Sequence, residues 1–207
     1  MSSEAHTSSP VTDLPGAQDD IQPLGGEARF VRALHRLSAG PRAILKRCAG
    51  RTIGEASGHA KIIYYGILAR ETPAVKGSKN EEIYFLVATL FGLNKHETTG
   101  NFWATMRTIR SKTASESTDH RMAILLDSEF GLIEGWRSGG GELAWRLRQC
   151  VRLAAGHEVG VNWTQLLQDL LWWDHHEKRA RKRWARSYFG QEPIPANYAL
   201  YPKGDTE

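Results

Sequence analysis

The sequence predicts an all-α fold. Apolar residues recur three and four apart in segment after segment, the spacing of one helix face. Val/Thr-rich alternating stretches, which would signal half-buried strands, do not appear. Short polar breaks join the segments, roughly 2–8 residues each, as in helix bundles. No internal repeat stands out.

Residues 1–26 are rich in Ser, Thr, Pro, Gly and Asp and lack apolar periodicity, so a disordered tail is expected. A helix over Glu27–Ala39 follows, with Phe30, Val31, Leu34 and Leu37 inward and Arg29, Arg32 and Arg36 outward. Gly40-Pro41 ends it and opens a short helix, Arg42–Cys48, because Pro suits a first helical turn. Lys46-Arg47 then sits beside the turn at Gly50, and residues 49–58 read as a loop. Ala60–Arg70 is an apolar helix with Ile63, Ile67 and Leu68 as core candidates, although Ile62–Tyr65 could also form a strand. Thr72-Pro73 breaks the chain, and Lys76 and Lys79 lie in the loop before the next helix.

Glu81–Leu93 is apolar on nearly every face, so it is expected to be central. Gly100–Ile109 gives a short helix or turn with Phe102, Met106 and Ile109 inward. The polar break Thr113–Asp119 marks a hinge, and Thr118–Leu126 follows, capped by Thr118 or Asp119. Phe130–Trp136 reads as another short helix before a turn at Ser138–Gly141. Glu142–Ala155 carries a Leu143, Leu147, Cys150, Val151, Ala154 stripe, with Arg146, Arg148 and Arg152 emerging elsewhere. Asn162 caps a helix bearing Trp163, Leu166, Leu167, Leu170 and Leu171, which Asp174 kinks or restarts. From His175 to Phe189 the stripe narrows to Ala180, Trp184 and Tyr188, leaving Lys178, Arg179, Arg181, Lys182, Arg183 and Arg186 as surface. The tail from Gln191 holds Pro193, Pro195 and Pro202 and should be extended. The domain reading is therefore tail 1–26, N-terminal helical lobe 27–112, C-terminal helical bundle 113–190 and extended tail 191–207.

Composition narrows the function classes. The 207 residues, 41% hydrophobic, can bury one large core or two small ones. No apolar run reaches about 18 residues, and no basic-then-apolar leader opens the chain, so a cytoplasmic protein without a membrane span is expected. Cys48 and Cys150 are far apart and lack metal-ligand spacing, which fits reduced packing residues. All 27 Lys and Arg lie after residue 28, where 18 of the 23 acids lie, a net of nine positive charges. That excess favours a polyanionic partner.

Catalytic motifs are absent: no phosphate-cradling GxxxxGK[ST], no GxGxxG after a strand, no GxSxG elbow. No cofactor is implied. His175-His176-Glu177 invites a metal reading, but adjacent residues on a helix point about 100° apart and cannot easily share one ion. Asp169 and Glu177 are separated by about 12 Å of helical rise, too far for a tight acid pair. Trp172 and Trp173 suit a bundle core better than base stacking. Residues 178–186 hold six cations and no acid, a density that suits backbone phosphates as well as solvent.

The segment 141–190 resembles the small subunit of the type I-E CRISPR Cascade complex, the CasB family. The resemblance rests on CVRLAA at 150–155, Asn162-Trp163, LLQDLLWW at 166–173 and RKRWARSYFG at 181–190. HRMAILL at 120–126 is similar to the family's upstream arginine-leucine helix, and Gly40 with Lys46-Arg47 to its N-terminal helix and basic pair. It implies two small helical bundles in one elongated, non-enzymatic subunit. The implied partners are the backbone and large Cascade subunits, a second copy of the chain, guide RNA and target DNA. The implied phosphate-binding positions are Lys46, Arg47, Lys79, Arg121 and Arg152. Lys178 and Arg179 are the nearest substitutes for cations expected after the paired Trp, where His175 and His176 intervene. Arg152, Arg121 and Lys46/Arg47 should form one positive track with Lys79 near its end. The competing reading is a basic helical adaptor for acidic protein partners, with incidental nucleic-acid affinity.

Overall fold

The computed structural model describes residues 25–72, 78–130 and 141–189. Among these residues the regular structure is helical, with no strand. The elements are α1 (Gly26–Arg36), α2 (Ala39–Arg47), α3 (Gly58–Ile63), α4 (Lys79–Phe91), α5 (Phe102–Thr113), α6 (Glu116–Asp127), α7 (Gly141–Gly156), α8 (Trp163–Leu171) and α9 (Arg179–Phe189). The expected tails 1–26 and 191–207 lie outside the described residues, apart from Gly25 and Gly26. So does the expected helix Phe130–Trp136, apart from Phe130, which is buried and not helical.

Capping decides several boundaries. Ser78 Oγ accepts from Glu81 N–H (3.2 Å), Asn101 Oδ1 from Ala104 N–H (3.1 Å) and Asn162 Oδ1 from Gln165 N–H (3.0 Å). Two expected starts are corrected. Helix α6 is capped by Ser115 rather than Thr118 or Asp119, so the polar break shrinks to Ala114 and Ser115. The break between α1 and α2 falls at Leu37-Ser38, and Pro41 sits in the first turn of α2, where its missing N–H leaves no bond unmade. The segment after Ile63 is helical, not a strand: α3 continues as a π-helical turn over Tyr64–Leu68. That turn buries Tyr64, whose hydroxyl donates to the Glu81 carbonyl (3.2 Å).

Helix α4 is the axis of the molecule. From Ile83 to Phe91 every side chain is buried. Helix α2 packs on it from one side and α8 from another, with α7 also in contact. Helix α8 also reaches α1, and α5 packs against α6, α7 and α9. One apolar cluster runs through all of these, from Phe30 to Tyr188. The loop after α7 is locked onto the loop after α4 and onto α5. Val161 N–H donates to the His96 carbonyl (3.0 Å), Asn94 Nδ2 to the Val159 carbonyl (2.8 Å) and Thr105 Oγ1 to the Gly160 carbonyl (2.9 Å).

Candidate nucleic-acid interface

Helix α7 separates an apolar stripe from a basic one. Leu143, Leu147, Cys150, Val151 and Ala154 are buried, so residues between them must face outward. Trp145, Arg148 and Arg152 follow at i, i+3 and i+7 and share the outer face. Burial pushes the Cys150 thiol up to about 12, against the opposing pull of Arg121 and Arg146 nearby. Cys48 is also buried, and both cysteines are free thiols.

Two clefts flank this face. Arg47, Gly50, Arg51, Glu55, Trp145 and Arg148 line the first. It forms because Gly50, at φ +79°, turns the chain after α2 directly onto α7, where even a Cβ would meet Arg148 Cδ at 3.2 Å. His120, Arg121, Trp145, Arg146 and Gln149 line the second, over Cys150. Trp145 belongs to both clefts, so Arg47 and Arg121 meet across one side chain. Lys46 points into a third cleft with Arg42 and Lys95, which touches α7 at Ala155. Lys46, Arg47, Arg121 and Arg152 are exposed and make no ion pair among the described residues.

The other expected cations have acidic company. Lys79 pairs with Asp174 and lies 5.5 Å from the Phe130 ring centroid, tying the start of α4 to the turn after α8. Lys178 is exposed at φ +50° and its carbonyl accepts from Lys182 N–H (2.9 Å), which places it at the head of α9. Arg179 pairs with Glu177, whose carboxyl that hydrogen bond holds below the usual range. The expected surface run is corrected at two positions. Arg181 and Arg183 are each 8% exposed. Arg183 Nη2 donates to Asp169 (2.6 Å), while Arg181 reaches Asp174 (3.3 Å) and lies 5.1 Å from the Trp173 ring centroid. Trp173 is buried and donates to the Ser128 carbonyl (2.9 Å), in keeping with a core role.

His175, His176 and Glu177 are not on a helix, so the 100° argument does not apply to them. They occupy the turn between α8 and α9, with potential donor atoms within 4.8 Å of one another. Two of the three are engaged internally: Glu177 N–H donates to His175 Nδ1 (3.3 Å), and the Glu177 carboxylate meets Arg179.

A family model described as CRISPR-associated protein Cse2 matches residues 41–189. The chain belongs to the Cse2 family. A Cse2 protein of Thermus thermophilus is 30% identical over 112 residues, 54% of this chain. The match spans 59% of that protein, so the chain covers under two-thirds of this relative's length. The crystal structure of CasB from Thermus thermophilus superposes with a TM-score of 0.64 at 27% identity, covering 81% of this chain and 99% of that one. A chain of a CRISPR RNA-guided surveillance complex shares the fold at TM-score 0.63 and 16% identity, over 79% of this chain and 91% of that one. No helix among the described residues is long and apolar enough to cross a membrane.

Of the residues lining these two clefts, the sequence singles out Arg47 and Arg121 but not Trp145 or Arg51. The Trp145–Arg148–Arg152 spacing was readable as one face. The convergence of α2 and α6 on that face depends on tertiary packing, and no periodicity reports it.

Proposed function

We propose that this Cse2-family chain is the non-catalytic small subunit of a type I-E CRISPR surveillance complex, Cascade, acting in antiviral defence. In this reading it contacts the backbone and large subunits and a second copy of itself. Guide RNA and target DNA pair to read sequence, and cations of this chain hold the phosphates of the hybrid and the displaced strand. The observation that carries the reading is the approach of Arg47 and Arg121 to the outer face of α7, which itself carries Arg152; none of the three makes an ion pair among the described residues. With Glu55 the one acid among their lining residues, these clefts attract a polyanion through its backbone phosphates. The buried Asp169 is committed to Arg183 and Trp184 and is not a free acid or base. Lys46 extends the basic surface, while Lys79, Lys178 and Arg179 are secondary contributors.

The test is a charge reversal, Arg121→Glu with Arg152→Glu, in full-length protein. Affinity for a guide–target hybrid and for single-stranded DNA is measured across a salt series. The expected result is weaker binding, with the log-log salt slope shallower by about two, one for each lost phosphate contact. Unchanged affinity and slope would overturn the reading. The adaptor alternative draws on exposed Ile62 (72%) and Tyr65 (38%), one turn apart after α3 begins. It predicts co-purification with protein partners after nuclease treatment.

A further inference from the structure

Trp145 is out of keeping with four other tryptophans of the bundle. Trp103, Trp163, Trp173 and Trp184 are fully buried, whereas Trp145 is 48% exposed. An indole half in water forgoes much of the burial that stabilises its neighbours. It stands between two clefts and lines both. Its surroundings are cationic. Arg47, Arg51 and Arg148 lie on one side, Arg121 and Arg146 on the other. The Arg146 guanidinium sits 4.8 Å from the Trp145 ring centroid and is also bonded to Glu142 (3.1 Å). Arg148 Nε is buried without a hydrogen-bond partner, leaving an unused donor beside the ring.

We infer that Trp145 is a stacking platform for an unpaired nucleobase of a single strand whose phosphates run between the Arg47 and Arg121 clefts. The inference deepens the nucleic-acid reading above and rests on it. The chemistry is that of single-strand grooves generally. Cations follow the backbone, and an exposed aromatic ring takes a base by its π-face, whatever the base. A base laid on the indole extends the Arg146–Trp145 stack, and a planar guanidinium is itself a good stacking surface. A duplex offers its π-faces only at its ends, so this contact favours an unpaired nucleotide over a paired one. Arg152, about 10 Å farther along the same face of α7, continues the phosphate path.

The experiment uses the full chain, a short oligothymidylate, an abasic strand of the same length and phosphate count, and an oligouridylate. Wild-type protein is expected to bind the base-bearing strand about tenfold or more tightly than the abasic one. Trp145→Ala should lose that preference, and Trp145→Phe should keep most of it. Thermal unfolding of the variants checks that the exposed position tolerates the change. Equal binding of thymidylate and abasic strand by the wild type, or a preference that survives Trp145→Ala, overturns the proposal. The comparison of thymidylate with uridylate then assigns the base to DNA or to RNA by which of the two is more sensitive to Trp145. Failure of the broader reading looks different: Arg121→Glu with Arg152→Glu leaves binding of every strand, abasic included, unchanged across salt.

Discussion

Asp169 is a carboxylate with no exposed surface, embedded in the leucine stripe of α8. It is stable there because three donors meet it: Arg183 Nη2 and Trp184 Nε1 at 2.6 Å each, and Gln165 Nε2 at 3.0 Å. Removing it takes away the buried carboxylate to which Arg183, Trp184 and Gln165 all donate. Asp169→Ala is expected to lower unfolding stability by about 3–5 kcal/mol. In urea titrations the midpoint should fall at constant slope, and a loss under about 1 kcal/mol would contradict this account. The sequence hinted at the acid, since an Asp between Leu167 and Leu170 interrupts an inward face. It did not hint at the partner. Arg183 is 14 residues away on another helix, next to rather than within the Ala180–Trp184–Tyr188 stripe, so periodicity assigned it to solvent.

Helices were legible where cap and stripe agree. Asn162 before α8, the apolar α4 and the stripe of α7 could all be read because each depends on residues within one turn of one another. The π-helical turn at Tyr64–Leu68 could not, since one extra residue per turn leaves no mark in composition. Nor could the contact between the loops after α4 and α7. There Gly160 lies so close to the Glu97 carbonyl that a Cβ would come within 2.3 Å of its oxygen. Gly160→Ala must push the two loops apart and strain the bonds from Thr105 and Asn94. We expect a cost of about 1–3 kcal/mol, read as a melting temperature several degrees lower. An unchanged melting temperature would mean that the loops yield freely.

The core spans both sides of the 112/113 boundary that the sequence suggested, because α8 packs on α1 and α4 while α5 packs on α9. A single calorimetric transition is therefore expected, with equal calorimetric and van't Hoff enthalpies. Two resolved transitions would instead mark 27–112 and 113–190 as separately folding lobes. At this scale the helical class was readable from period alone, and the resemblance pointed to Arg121 and Arg152. What brings Arg47 and Arg121 to either side of Trp145 was not, because it follows from which helices become neighbours. The all-round burial of α4 has one more consequence, for the order in which the chain is made. Its cover comes from α2 before it and from α7 and α8 after it. While the ribosome is still short of residue 171, α4 has emerged without the cover of a complete α8, an oily rod facing water. The nascent chain thus has to wait, soluble but unfinished, for its last third before its first half can settle.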